Sequence, residues 1–378
     1  MNLCPVARTL LFCPHTALKP ISTMLSSLSS YGWNSHFEHH YTTFIRHDLE
    51  AGRVIAINGY NHTIITPTGP SPAMLAGSLM NGKETWELPK VGDWIVCKHY
   101  YDQSIIVDVL PRLNALSRKL PGKSSQQQVI AANIDAALII QGLNRDFNLP
   151  RLQRYLQQVY QCGIQAIVIL NKQDLADAPE ACRQEVLSLG YDCPVLLTSA
   201  LDHDQLNGWA TRYLLPGKTF ALLGSSGVGK STLFNSLSGL AMQKEGSVSS
   251  YNNKGKHTTT SRQLVLLPNG SMLIDSPGMR EFGLTLDADD GVSFYHPMIE
   301  ELSGQCRFRD CLHQQEPGCA VTAALEQGKL PPAVYHNYLK LIREQYHYQA
   351  SALAKKRMEQ QFGKISKQVN SLRKKRKY

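Results

Sequence analysis

Short apolar runs alternate with turn residues through the first third of this chain. Arg53–Ile57, His62–Thr66, Asp93–Cys97 and Ser104–Val109 are rich in β-branched residues, and Asn58-Gly59, Pro67-Thr68-Gly69-Pro70 and Val91-Gly92-Asp93 separate them. Several short strands within about sixty residues predict a small barrel of the OB type. From Asn133 the rhythm changes. Asp135–Ile140, Gln165–Leu170 and Val195–Thr198 read as strands. Between them, residues 150–162 and 179–189 read as helices, the first with Leu152, Tyr155, Leu156 and Val159 at helical spacing. Alternating strand and helix predicts a largely parallel sheet with right-handed crossovers. Residues 219–223 add a strand, and residues 230–240 a helix with Leu233, Phe234 and Leu237 on one face. Residues 263–267 and 271–274 read as a hairpin about Pro268-Asn269-Gly270. Two helices are predicted further on, at 320–325 and 333–348. The second has a stripe of Tyr335, Tyr338, Leu339 and Ile342, read as packing rather than base stacking.

Composition refines this picture in two places. The formal net charge is +9, and the excess is concentrated at the end, where residues 355–378 hold ten Lys or Arg against Glu359 alone. Such a tail favours a polyanionic partner, nucleic acid before membrane. Six of the nine cysteines are scattered and three cluster near Cys311, which is no disulfide framework and implies a reducing compartment. No apolar run is long enough to cross a bilayer, so a soluble cytoplasmic chain is expected, and a monomer. Residues 1–48 carry no acidic residue before Glu38 and are rich in serine. They are expected to be a disordered extension, with initiation at Met24 or a transit peptide as alternatives.

Candidate chemistry begins with Gly224-Ser225-Ser226-Gly227-Val228-Gly229-Lys230-Ser231-Thr232, set between a strand and a helix. This is the context a phosphate-binding loop requires. Its backbone N–H groups converge on phosphate oxygens at a helix N-terminus, with Lys230 expected at the β- and γ-phosphates and Ser231 at Mg²⁺. Asn171-Lys172-Gln173-Asp174 ends one strand and Thr198-Ser199-Ala200 follows another. Ligands of open α/β sheets bind at such carboxyl ends. The two stretches resemble the base-reading loops of GTPases, in which Asp174 would accept from the N1–H and 2-amino group of guanine; adenine offers neither donor, so the expected nucleotide is GTP or GDP. Asp275-Ser276-Pro277-Gly278 ends a further strand. There Asp275 is expected to reach Mg²⁺ and Gly278 the γ-phosphate. Thr259 or Thr260, in Lys254–Thr260, is the candidate switch threonine. Met279 cannot orient water, and His257 is the candidate for that role.

The order of these motifs is permuted. The base-reading elements precede the phosphate loop, so the chain leaves the nucleotide domain soon after its second switch. Cys306-x₄-Cys311-x-His313-x₅-Cys319 follows. Three thiolates and one imidazole complete a tetrahedral Zn²⁺ shell with no position open for water, which marks a structural metal.

Together these residues resemble the circularly permuted GTPases that depend on the small ribosomal subunit, the RsgA or YjeQ family. The resemblance runs over about residues 49–348 and is carried by Gln128–Asp135, Asn171–Asp174, Gly224–Thr232, Gly255–Thr260, Asp275–Gly278 and Cys306–Cys319 with Glu316-Pro317-Gly318. It implies a multidomain chain: an OB-fold barrel at 49–115, a permuted α/β P-loop GTPase domain at 116–290 and a small α-helical zinc-binding domain at 291–350, to which composition adds the basic tail at 351–378. It further implies GTP hydrolysis stimulated by the small subunit, contact with its rRNA, and a role in late subunit maturation. The alternatives are a zinc-containing RNA-binding module with a vestigial nucleotide site, and a GTPase acting on another RNA complex.

Overall fold

The computed structural model describes residues 26–44, 49–119, 127–144, 147–239, 262–275, 296–314, 316–339 and 342–343. Five strands close a barrel: β1 (Glu50–Asn58), β2 (Asn61–Thr66), β3 (Gly69–Leu75), β4 (Trp94–Tyr100) and β5 (Gln103–Val109). They run β1-β2-β3-β5-β4, and β4 pairs back onto β1, which gives the OB-like topology. Successive side chains of a strand point to opposite faces. In β4, Ile95 and Cys97 therefore fill the barrel with Val54, Ile64 and Ile106, while Trp94 and Val96 face outward. Strand β3 escapes the sequence pattern because Pro70 and Pro72 read as turn residues. Both lie where β3 has β2 as its neighbour, and pairing with β5 begins only at Ala73. A strand edge tolerates the missing N–H.

The expected disordered extension needs correction over residues 26–44. Ser26–Tyr31 form a 3-10 turn and Ser35–Tyr41 form helix α1, capped by the Asn34 side chain. Trp33, Phe37 and Tyr41 recur every fourth residue, and their stripe covers Trp94 and Val96 on the outside of the barrel. The Trp33 and Trp94 rings meet edge to face at 4.8 Å between centroids. A helix this short is held by tertiary packing rather than by propensity, which is why residue preferences alone did not announce it.

The nucleotide domain follows. Strands β6 (Ala115–Lys119) and β7 (Gln127–Ala132) make a separate hairpin. The main sheet is then built from β8 (Ala136–Gly142), β9 (Gln165–Asn171), β10 (Val195–Leu197), β11 (Thr219–Leu223), β12 (Arg262–Leu266) and β13 (Met272–Asp275). Its order is β10-β9-β8-β11-β13-β12, parallel except for β12. All seven residues of β8 are buried, as expected of a central strand covered on both faces. Ala137 and Ile139 enter one core, and Ala136, Leu138 and Ile140 the other. Helix α2 (Gly77–Gly82) belongs to the barrel, while α3 (Leu149–Gln161), α4 (Pro179–Leu187), α5 (His203–Tyr213) and α6 (Lys230–Ser238) flank the sheet.

Barrel and sheet are continuous. β12 pairs antiparallel with β1, Ala56 opposite Gln263 and Ile57 opposite Arg262. The buried Arg53 guanidinium lies at the same junction. It donates to the carbonyls of Gly92 at 3.1 Å, Asn133 at 3.1 Å and Tyr31, and its charge faces the Trp94 ring at 5.3 Å. Burial lowers its pKa to about 10, so it stays charged at neutral pH. Gly92 has φ +90°, and a Cβ there would stand 2.1 Å from the Ala132 carbonyl oxygen. The next residue, buried Asp93, takes both oxygens onto Arg112 at 2.7 Å.

Beyond β13, helices α7 (Pro297–Ser303) and α8 (Ala320–Glu326) and helical residues 332–339 form a small module. Its core contains Ile299, Val321, Leu330, Val334, Tyr335 and Tyr338, so the tyrosine stripe does pack inward. Among the described residues no helix is long and apolar enough to cross a membrane.

Candidate nucleotide site and metal centre

Three loops meet at the carboxyl ends of β9, β10 and β11. The glycine-rich loop leaves β11 at Gly224 and opens α6 at Lys230. Gly229 takes φ +99°, and a Cβ there would lie 2.3 Å from Asn171 Nδ2, so both backbone and neighbour demand glycine. Within the loop Gly224 and Val228 are buried and Ser226 and Gly227 exposed. Ser231 and Thr232 are exposed on the first turn of α6. The buried Lys230 ammonium donates to the carbonyls of Gly224 at 2.7 Å and Ser225.

Asn171 is the keystone of the site. Its side chain is buried, with 1% exposure. Nδ2 donates to the Val228 carbonyl at 2.8 Å and Oδ1 accepts from Ala200 N–H at 2.9 Å. One carboxamide thus joins the glycine-rich loop to the Ser-Ala loop. Lys172 adopts φ +64°, a left-handed conformation costly for a lysine, and its Nζ donates to the Gly227 carbonyl at 2.7 Å. Asp174 follows in the 3-10 turn Gln173–Leu175 and is exposed. The Ser-Ala loop is held from further sides: Gln173 N–H donates to the Thr198 carbonyl at 3.2 Å, and Ser236 Oγ of α6 donates to the Ala200 carbonyl at 3.1 Å. Ser236 is invisible to motif reading, since its one signal is its place on the helix face that meets this loop. Asp275 ends β13 beside β11, whose Ala221 pairs with Ile274. His257, Thr259, Thr260 and Gly278 lie outside the described residues.

The module after β13 brings Cys306, Cys311, His313 and Cys319 together, with all four ligand atoms within 4.8 Å of one another. Cys306 Sγ and Cys319 Sγ are each 3.5 Å from His313 Nδ1 and 3.9 Å from each other. Two thiols packed against an imidazole fit a soft, tetrahedral ion, whose ligands stand less than 4 Å apart when each is about 2.0–2.3 Å from the metal. The sulfurs are served by amide donors at the start of α8: Ala320 N–H to Cys306 at 3.4 Å and Thr322 N–H to Cys319 at 3.5 Å. Burial works to raise the Cys319 thiol, but hydrogen bonds from Thr322, Cys311 and Val321 outweigh it, so the pKa falls below the ordinary value and favours thiolate. His313 sits at φ +58°, and its carbonyl accepts from Tyr335 Oη at 2.7 Å. The aromatic stripe thereby fixes the ligand loop. These donors fit a bound metal ion of the structural kind.

An OB-like barrel, a sheet whose Asn-Lys-x-Asp and Ser-Ala loops precede its glycine-rich loop, and a Cys₃His module define a circularly permuted GTPase. The comparisons with known proteins agree. A family model described as RsgA GTPase matches residues 109–285. A second, described as ABC transporter, matches residues 210–369, a span that includes the phosphate loop. The "Small ribosomal subunit biogenesis GTPase RsgA" of Syntrophotalea carbinolica is 40% identical, over 83% of this chain and 88% of its own. The "Small ribosomal subunit biogenesis GTPase RsgA 2" of Vibrio parahaemolyticus is 38% identical, over 96% of this chain and 98% of its own. Among solved structures, YjeQ from Thermotoga maritima aligns with TM-score 0.57 and 25% identity, covering 79% of this chain and 99% of that one. The chain belongs to the RsgA family of GTPases.

Proposed function

We propose that this chain binds the small ribosomal subunit and its rRNA, acts in late assembly of that subunit, and hydrolyses GTP to GDP and phosphate with subunit-stimulated turnover. The observation that carries this reading is the Asn171 bridge. It joins a phosphate loop to a base loop across a permuted sheet, in a chain akin over most of its length to proteins named for small-subunit biogenesis. Asp174 reads the guanine edge, with the Lys172 stem along the base and the Ser199–Ala200 backbone opposite. Gly224–Thr232 cradle the phosphates, with Lys230 on the β- and γ-oxygens. Ser231 and Asp275 hold Mg²⁺, which would draw charge from the transferring phosphoryl oxygens. Thr259 or Thr260 and Gly278 sense the γ-phosphate, and His257 orients the attacking water.

Cys306, Cys311, His313 and Cys319 hold one structural Zn²⁺. We divide the chain into the barrel at 49–115 with residues 26–44 packed on it, the GTPase domain at 116–290, the zinc module at 291–350 and a basic tail at 351–378. The protein acts as a cytoplasmic monomer until it meets the subunit. Co-sedimentation with separated ribosomal subunits tests the partner. With a non-hydrolysable GTP analogue the chain is expected in the small-subunit pellet, and equal recovery with both subunits would refute the assignment.

A further inference from the structure

Gln205 sits on the first turn of α5, three residues after the N-cap Asp202. Asp202 performs its half of a capping box, Oδ1 accepting from Gln205 N–H at 3.1 Å. A glutamine at this position ordinarily returns the bond, its side chain reaching the N-cap backbone N–H. Here that N–H is already engaged, donating to the Ser199 carbonyl at 3.0 Å. The Gln205 carboxamide leaves its helix instead. Its Oε1 accepts from Ser199 N–H at 3.1 Å and from Gln173 Nε2 at 2.8 Å. One oxygen atom thus joins the two loops that follow β9 and β10. A local rule broken at the mouth of a binding site marks a demand made by the site rather than by the helix.

We propose that Gln205 is a positioning residue for base recognition: it holds the 171–174 loop against the 198–200 loop so that Asp174 meets the guanine edge. The proposal rests on the nucleotide reading given above. Asn171 and Gln205 divide the work. Asn171 ties the base loop to the phosphate loop, whereas Gln205 ties the two base loops to each other, next door to Asp174. Removing its oxygen leaves the Ser199 N–H and the Gln173 amide without their shared acceptor. Asp174 then loses its fixed distance from the opposing loop, while the phosphate cradle is untouched. The loss therefore falls on the N1–H and 2-amino contacts of guanine and not on the phosphates.

GDP and IDP, whose hypoxanthine base lacks the 2-amino group, separate these effects. Both are titrated into the full chain as wild type, Gln205→Ala, Gln205→Glu and Gln173→Ala, with apo melting recorded for each. Gln205→Ala is expected to weaken GDP binding about tenfold and IDP binding, which keeps only the N1–H contact, about threefold. Its apo melting temperature should move by less than about 2 °C. Gln205→Glu keeps the acceptor and suits a helix N-terminus, so it should hold GDP within about threefold of wild type. An unchanged GDP-to-IDP ratio in Gln205→Ala overturns the proposal, and so does an equal loss for both nucleotides, which would mark helix packing alone. Should Gln205→Ala fail to fold, Gln173→Ala removes the same bridge from its other end, and a wild-type ratio there is equally contrary. A wild-type chain that fails to prefer GDP over ADP instead overturns the base-site reading itself.

Discussion

The nucleotide site and the metal centre are assembled by opposite means. At the base end of the nucleotide site, protein groups hold one another: Asn171 joins the glycine-rich loop to the Ser-Ala loop, Lys172 ties down the glycine-rich loop a second time, and Ser236 and Gln173 brace Ala200 and Thr198. Behind them stand two hydrophobic cores on either face of the sheet. In the metal module, three cysteines and a histidine crowd together beside seven further buried core residues among those described. A core that small is expected to need a bound metal to hold its fold. On the proposed function, the difference teaches that the nucleotide would meet a site braced by protein contacts, whereas the metal would be part of the fold.

The strongest way to break this contrast is to remove the metal. Structural zinc supplies on the order of 10 kcal/mol to small modules, so chelation or Cys319→Ser should unfold residues 296–343 while the sheet survives. Hydrogen exchange reports both regions at once, and protection persisting in α8 after chelation would contradict the account. Next in size is the barrel–sheet junction. Gly92→Ala combines a positive φ with a Cβ 2.1 Å from the Ala132 carbonyl oxygen, and should cost about 3 kcal/mol or more in urea unfolding. A loss under about 1 kcal/mol would mean the junction yields.

Asn171→Ala sharpens the other side of the contrast. It leaves the Val228 carbonyl and the Ala200 N–H buried without partners, at about 1–3 kcal/mol each. GDP affinity should fall by roughly ten- to a hundredfold, with the metal module unaffected. Asn171→Asp keeps the acceptor for Ala200 but not the donor for Val228, so it should rescue little. The smallest effect concerns docking of the metal module. His296 is buried against the Tyr191 ring, 4.6 Å between centroids, and burial lowers its pKa below the ordinary 6.5. The folded chain keeps this imidazole neutral while the unfolded chain protonates it, so stability is lost as pH falls through 6.5 and is unchanged above it. His296→Leu should flatten that slope, and a slope identical to wild type would assign the pH dependence to other groups.

Much of this architecture was legible in the sequence, for physical reasons. Strands β8, β9 and β11 are buried on both faces and read as continuous apolar runs, and the glycine-rich loop, Asn171–Asp174 and the Cys/His spacing each carry chemistry in a fixed order. Helix α1 was not legible, because it owes its existence to the indole of Trp94 beneath it. Strand β3 was hidden by two prolines that fall before its pairing with β5 begins at Ala73. Gln205 and Ser236 could not be found by motif, since they act through contacts between elements 32 and 36 residues apart in sequence.

Turnover of GTP, measured with and without purified small ribosomal subunits at matched Mg²⁺, bears most directly on the central claim. The account predicts slow hydrolysis by the chain alone and an increase of about tenfold or more with small subunits, lost in Lys230→Ala. The same rate with and without small subunits, in a chain that binds GTP, would contradict it.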